Sequence, residues 1–300
     1  MRICDGRVVL VTGAGRGIGR SHALAFAAEG AKVVVNDLGG EVDGSGKSTG
    51  PADEVVEEIR GMGGEAIANG DDVADADGAR RMVQAAIDHF GHLDTLVNNA
   101  GILRDRVLAN MTPEEWDAVI HVHLRGTYLP SRVAAQYWRD MTKAGETNDA
   151  RIINTSSGSG LFGNPGQTNY GAAKSGIASF SVIAAKELAR YGVTVNAIAP
   201  GARTRMTAPL GMGADYVEGT FDDTAPENIS PLVVWLGSNE SAAVTGRVFE
   251  VMGGRVGIVN NWSRGPWRDK KDRWAPSELG SVVTELVAGA FPPEPLLPID

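Results

Sequence analysis

The chain has 300 residues, of which 43% are hydrophobic, and a formal net charge of −9. This length suits one large α/β domain or two small ones, and the acidic balance argues against nucleic acid and anionic membranes as partners. Cys4 is the only cysteine, which excludes an intrachain disulfide and a cysteine-built zinc site. The first residues lack the apolar region of a signal peptide, and no apolar run approaches the roughly 18 residues that cross a membrane. We therefore expect a cytoplasmic protein with no membrane span and no bound metal.

Short apolar segments alternate along the chain with longer amphipathic ones. Segments rich in β-branched residues predict strands at Val8–Thr12, Lys32–Asp37, Ala66–Asn69, Thr95–Asn98, Arg151–Thr155, Thr194–Ile198 and Val248–Val251. Amphipathic segments predict helices at Gly17–Glu29, Ala52–Met62, Asp75–Phe90, Pro113–Met141, Thr168–Tyr191 and Pro226–Leu236. This α/β alternation predicts a Rossmann-type doubly wound parallel sheet of about seven strands with helices on both faces. In such a sheet, ligands bind beyond the C-terminal ends of the strands.

Three segments interrupt this alternation. Leu38–Pro51 is rich in glycine and serine and predicts a loop, and Arg203–Thr224 follows a strand at the position of a substrate lid. The third segment lies beyond the last predicted strand and includes one short helical pattern, Ser277–Ala290. We predict a catalytic domain at 1–254 and a C-terminal extension at 255–300 that packs on this domain or on a neighbouring subunit.

A glycine-rich loop, Thr12-Gly13-Ala14-Gly15-Arg16-Gly17-Ile18-Gly19, joins the first strand to the first helix. Here the chain must turn sharply and let a pyrophosphate approach its backbone, which side chains would block. The free N–H groups and the positive dipole end of the following helix then face the phosphates. We predict that a dinucleotide contacts Gly13, Gly15, Arg16, Gly17, Ile18 and Gly19.

Asp37 ends the second predicted strand, 18 residues after Gly19. A carboxylate at this position accepts hydrogen bonds from the adenosine ribose of NAD and repels the 2′-phosphate of NADP. Arg16 is able to hold a 2′-phosphate, but a fixed carboxylate should outweigh a flexible arginine. We therefore predict NAD as the cofactor; the alternative is that Asp37 is only a turn residue.

Tyr170 and Lys174 are four residues apart, so a helix would place them on one face. A tyrosine with its ordinary pKa of about 10 is a poor base, and a neighbouring ammonium group lowers that pKa. Ser157 follows a predicted strand and should face the same crevice, where its hydroxyl would hold a substrate oxygen. Tyr170, Lys174 and Ser157 are thus the candidate catalytic residues.

The glycine loop, Asn98-Asn99-Ala100-Gly101, Ser157, Tyr170-x-x-x-Lys174 and Pro200-Gly201 resemble the short-chain dehydrogenase/reductase family in order and spacing. The resemblance covers about residues 6–254. It implies an oxidoreductase that acts on CH–OH groups and assembles as a homodimer or homotetramer through Pro113–Met141 and Thr168–Tyr191. It also implies further cofactor contacts by Asp72, Val73, Asn99, Ala100, Gly101, Tyr170, Lys174, Pro200 and Gly201.

Within this family, four segments are similar to the (3R)-hydroxyacyl-CoA dehydrogenase branch found in peroxisomal multifunctional enzymes of type 2 and in bacteria. They are Val35–Gly40, Ala100–Arg106, Val122–Gly126 and Pro231–Leu236. The similarity implies oxidation of a 3-hydroxyacyl-CoA to a 3-oxoacyl-CoA. The alternatives are a dehydrogenase for hydroxysteroids or other bulky secondary alcohols, and a non-catalytic NAD-binding sensor, which usually lacks the Tyr or the Lys.

His123 stands where most of the family has an asparagine that anchors a proton-relaying water. We predict that His123 takes part in the proton path; the alternative is a histidine that only packs in its helix.

Near the C-terminus, Arg264–Arg273 has five cationic and two acidic residues, a local charge of +3, and includes Trp267. This segment, with Arg104 or Arg106, either holds a CoA head group or wraps a neighbouring subunit.

Overall fold

Parallel strands form the centre of the fold in a computed structural model that describes residues 2–48, 50–207, 216–217, 219–260 and 262–296. The strands in these residues are β1 (Val8–Thr12), β2 (Lys32–Asn36), β3 (Glu65–Asn69), β4 (Thr95–Asn98), β5 (Ala150–Thr155), β6 (Val193–Gly201), β7 (Val248–Met252) and β8 (Arg255–Val259). They lie in the order β3-β2-β1-β4-β5-β6-β7-β8. Strands β1 to β7 are parallel, and β8 pairs antiparallel with β7. The predicted doubly wound sheet is confirmed, with β8 as an additional edge strand.

Helices cover both faces of this sheet. The helices in the described residues are α1 (Gly17–Ala28), α2 (Gly50–Gly61), α3 (Ala76–Phe90), α4 (Pro113–Ile120), α5 (Gly126–Lys143), α6 (Gly158–Leu161), α7 (Thr168–Leu188), α8 (Ser230–Gly237) and α9 (Leu279–Ala288). Of these, α9 buries no residue and does not cover the sheet. One face buries Phe26 and Ile59, and the other buries Met82 and Trp138. Every residue of β1 is buried, which explains its uninterrupted apolar sequence.

The predicted helix Pro113–Met141 is divided by one π-helical turn, His121–Arg125, between α4 and α5. A capping box between Thr112 and Glu115 fixes its beginning. The wider turn inserts one extra residue and directs His123 inward, where it is fully buried. Such π-turns occur frequently at functional sites.

The C-terminal ends of β1 and β4 meet where the strand order reverses. The side chain of Asn99 donates to the carbonyl oxygens of Thr12 (3.1 Å) and Gly13 (3.0 Å). Gly13 has a φ of +63°, and a Cβ there would lie only 2.7 Å from the Cα of Ala100. Glycine is therefore required, and a crevice opens above this contact, as expected at a topological switch point.

The structure describes only parts of the predicted lid, Arg203–Thr224, and of the predicted C-terminal extension, 255–300. Residues 208–215 and 218 of the predicted lid, and residues 261 and 297–300 of the extension, lie outside the described residues. In the described part of the extension, no residue of α9 is buried, and Trp262 and Phe291 are 86% and 99% exposed. Within the described ranges, no helix has the length and hydrophobicity that a membrane crossing needs.

Candidate active site

A cleft of about 510 Å³ lies at the C-terminal edge of the sheet. It brings together most of the residues predicted from the sequence: Gly13, Arg16, Gly17, Ile18, Gly19, Asp37, Asp72, Val73, Asn99, Ala100, Gly101, His123, Tyr170, Lys174 and Pro200. Gly15, Ser157 and Gly201 lie beside this lining, in the glycine loop, directly after β5 and at the end of β6. Residues separated by more than 180 positions thus meet in one crevice.

The beginning of α1 is suited to an anionic group. Its N-cap residue, Arg16, provides no side-chain hydrogen bond to the first turn, and that turn contains no acidic residue. A Cβ at Gly19 would overlap the carbonyl oxygen of Gly13, so the helix has to start with small residues. The uncapped N–H groups and the helix dipole fit the pyrophosphate of a dinucleotide.

The carboxylate of Asp37 is fixed beside this helix end. Its Oδ2 accepts from the backbone N–H of Gly15 (2.7 Å) and its Oδ1 from that of Gly39 (2.6 Å). Asp37 is therefore a turn residue and also lines the cleft. Each carboxylate oxygen keeps further acceptor capacity, so Asp37 is suited to accept hydrogen bonds from the hydroxyls of an adenosine ribose.

Lys174 is buried beneath the catalytic side of the cleft, with 2% of its surface exposed. Its Nζ donates to the carbonyl oxygen of Thr155 (2.6 Å) and lies 5.5 Å from the centre of the Tyr170 ring. Burial lowers the pKa of Lys174 to about 7. The neighbouring Ser156 donates to the carbonyl oxygen of Lys174 (2.8 Å) and so anchors α7.

The protonation of Tyr170 differs from the expectation based on Lys174 alone. Burial raises the pKa of Tyr170 to about 12, and the hydrogen bond with Ser157 offsets this only in part. Burial disfavours the charged phenolate, and the negative charge of Asp105 adds to this effect. A cation placed in the cleft beside Tyr170 would favour the phenolate and move its pKa down.

His123 contacts the wall of the cleft and the ring of Tyr170. Its Nε2 lies 2.8 Å from the carbonyl oxygen and 3.1 Å from the amide nitrogen of Ile102. Its ring meets that of Tyr170 edge-on, with 5.1 Å between the centroids, and its buried Nδ1 has no partner among the described residues. Burial, followed by the charge of Lys174, lowers the pKa of His123 to about 3. The imidazole is therefore neutral at physiological pH.

Sequence reasoning missed Asn169, which is completely buried. Its amide nitrogen donates to the carbonyl oxygens of Arg104 (2.9 Å) and Glu115 (3.2 Å), while its Oδ1 accepts from the backbone N–H of Tyr170 (2.7 Å). Asn169 thus holds the first turn of α7 against the loop that follows β4. The only signal in the sequence was a polar residue directly before Tyr170.

A doubly wound sheet whose cleft combines an uncapped helix end with a partly buried tyrosine beside a buried lysine is typical of a dinucleotide-type oxidoreductase. The sequence pattern of the short chain dehydrogenases matches residues 7–213. The chain belongs to this family, and it is an oxidoreductase acting on CH–OH groups.

Individual relatives support the same assignment. The chain is 42% identical over 296 residues to hydroxyacyl-CoA dehydrogenase ChsB1 of Mycobacterium tuberculosis, covering 96% of this chain and 90% of that protein. It is 47% identical over 260 residues to peroxisomal multifunctional enzyme type 2 of Mus musculus, covering 87% of this chain but only 33% of the mouse protein. A crystal structure of a short chain dehydrogenase from Mycobacterium avium is 57% identical, covers 98% of both chains and superimposes with a TM-score of 0.88.

We predict that Tyr170→Phe lowers turnover by about 10²–10⁴-fold, because only the phenolic oxygen exchanges the substrate proton. Binding of the dinucleotide, measured by fluorescence titration, should stay close to that of the unchanged protein. In the unchanged protein, alcohol oxidation should accelerate as the pH rises, since a pKa raised to about 12 keeps Tyr170 protonated at neutral pH. Tyr128→Phe, which alters an exposed tyrosine of α5, is the matched control. Near-normal turnover by Tyr170→Phe would remove Tyr170 from this role.

We also predict that His123→Ala lowers kcat by about tenfold, less than loss of the primary proton-transfer group. The pH–rate profile should shift as well, because His123 contacts Tyr170 and its neutral ring can accept a proton at one nitrogen while donating at the other. His123→Asn should recover part of the rate, and His89→Ala, which removes an exposed histidine on α3 away from the cleft, serves as the control. An unchanged rate and profile in a folded His123→Ala protein would make His123 a packing residue.

Proposed function

We propose that this protein is an NAD-dependent dehydrogenase that interconverts a 3-hydroxyacyl-CoA and a 3-oxoacyl-CoA. The observation that carries the proposal is the position of Tyr170 above buried Lys174, in the same cleft as Asp37 and the uncapped start of α1. The acyl-CoA part is supported by relatives such as the hydroxyacyl-CoA dehydrogenase of M. tuberculosis, which matches nearly the whole chain. The intact Tyr and Lys argue against a non-catalytic sensor.

Each residue of the site has a role in this proposal. A nicotinamide ring, when bound, supplies a site for the hydride that leaves the carbinol carbon. Tyr170 takes up the hydroxyl proton through its phenolic oxygen, and Ser157 orients the substrate oxygen. Lys174 favours the phenolate and holds the nicotinamide ribose. Because the fold already holds Tyr170, Ser157 and Lys174 in place, little entropy is lost in orienting them during the reaction.

NAD preference follows from Asp37 because its carboxylate is fixed by Gly15 and Gly39. The unchanged enzyme should have the higher kcat/KM with NAD, and Asp37→Ala should reduce the NAD/NADP ratio by at least about tenfold, the effect of about 1.4 kcal/mol. Asp53→Ala, which removes an exposed carboxylate in the first turn of α2, should leave the ratio unchanged. Preference of the unchanged enzyme for NADP would refute the assignment.

An acyl-CoA and an uncharged bulky alcohol such as a hydroxysteroid would use the same catalytic residues, so contacts outside those residues distinguish the two substrate classes. In the extension, several cations are already paired: Lys270 with Glu278 (2.6 Å), Lys271 with Asp269 (2.6 Å) and Arg268 with Glu285 (3.8 Å). These exposed pairs are weak, so a CoA phosphate is able to compete for the cations.

Reversal of two charges in the extension tests the acyl-CoA proposal. In the Arg268→Glu, Lys271→Glu protein, KM for a 3-hydroxyacyl-CoA should rise, and this penalty should shrink at high salt. KM for an uncharged secondary alcohol of similar shape should not change. An equal response of both substrates, or a change in oligomeric state alone, would assign the extension to structure or assembly.

The assembly proposed here is a homodimer or homotetramer that uses the outer faces of α5 and α7. Large side chains on these faces are solvent-exposed in the single chain, among them Tyr128 (44%) and Ile183 (54%). A surface of this kind is typical of subunit contacts. The cytoplasmic location expected from the sequence likewise stays a prediction.

A further inference from the structure

The connection between β2 and α2 is unusually long for this fold. Strand β2 ends at Asn36 and α2 begins at Gly50, whereas βα connections are commonly about 2–6 residues long. Longer connections in compact domains are usually functional. The residues that follow Asp37 line the cleft as far as Gly44. We call residues 37–48 the strap.

The base of the strap is closed by hydrogen bonds to itself and to the glycine loop. Asp37 joins the strap to Gly15, as described above. The backbone N–H of Ser48 donates to the carbonyl oxygen of Leu38 (3.0 Å), and that of Glu41 donates to the carbonyl oxygen of Ser45 (2.7 Å). The strap is therefore an ordered turn that projects from the adenosine end of the cleft.

The tip of the strap reaches the opposite wall, formed by the residues after β4. Nε of Arg104 donates to the carbonyl oxygen of Asp43 (2.8 Å). The backbone N–H of Leu103 donates to the carbonyl oxygen of Val42 (3.0 Å). A separate ion pair joins Glu41 to Arg205 (3.3 Å), beyond β6. The strap thus crosses the cleft and is fastened on its far side at two places.

The far wall continues directly to the catalytic helix. The carbonyl oxygen of Arg104 accepts from Asn169, which also binds the backbone N–H of Tyr170. Two residues before Arg104, Ile102 contacts His123. Arg104 therefore holds the strap with its side chain and the segment before Tyr170 with its backbone.

We propose that Arg104 is a positioning residue that fastens the strap across the cofactor cleft and so retains a bound dinucleotide. The dinucleotide cannot leave between the glycine loop and the far wall until the Arg104–Asp43 and Leu103–Val42 hydrogen bonds open. This inference rests on the proposed dinucleotide site. It gives Arg104 a different role from a contact with the CoA head group, because Nε of its guanidinium donates to the strap.

The rate of NADH release tests this role, measured by stopped-flow fluorescence on the full chain. Arg104→Ala should release NADH about tenfold faster and weaken its equilibrium binding by a similar factor, as loss of about 1.4 kcal/mol would. Arg104→Lys keeps a donor and should recover much of the retention. Glu41→Gln, which opens the second fastening, should give a smaller increase. Lys47→Ala, an exposed residue of the same strap, is the control and should release NADH like the unchanged protein.

The possible failures are distinguishable. If the unchanged protein binds no NADH, the proposed function itself is wrong and this inference is wrong with it. If it binds NADH but both Arg104 variants, folded by circular dichroism, release it at the unchanged rate, only the role of Arg104 is wrong. A rise in KM for an acyl-CoA without faster NADH release would assign Arg104 to the CoA head group.

Discussion

The close contact between the ends of β1 and β4 is the constraint on which the rest of the site depends. Thr12 Oγ1 accepts from the backbone N–H groups of Asn99 (3.0 Å) and Ala100 (3.2 Å), while Asn99 returns hydrogen bonds to Thr12 and Gly13. These bonds join the two halves of the sheet at the point where its strand order reverses. A side chain at Gly13 would collide with Ala100, so only glycine lets the loop after β1 pack directly against the end of β4. This close packing leaves the cleft above the loop open.

Burial sets the protonation of Lys174, His123 and Tyr170 more strongly than their mutual contacts do. It lowers the pKa of Lys174 to about 7, lowers that of His123 to about 3 and raises that of Tyr170 to about 12. All three shifts favour the neutral form, as expected when charges leave water. A cationic ring in the cleft would reverse part of this cost at Tyr170. In the proposed function, a bound cofactor would therefore complete the electrostatic environment of Tyr170.

The sequence predicted those features that local pattern determines. The parallel strands were predicted from apolar runs, the tight loop before α1 from glycine spacing, and the proximity of Tyr170 and Lys174 from their helical separation. It did not predict β8, because Arg255–Val259 is an exposed edge strand. The π-turn at His123, the raised pKa of Tyr170 and the contacts of Asn169 were also missed. Each depends on neighbours that are distant in sequence, which periodicity does not report.

The most direct test of the proposed chemistry is the fate of the hydrogen on the substrate carbinol carbon. A 3-hydroxyacyl-CoA carrying deuterium at this carbon can be turned over with NAD by the purified protein, and the product nicotinamide examined by NMR. Our account predicts deuterium at C4 of the reduced ring, on a single face, together with a primary isotope effect when transfer limits the rate. Recovery of the deuterium in solvent, or oxidation without labelled NADH, would contradict it.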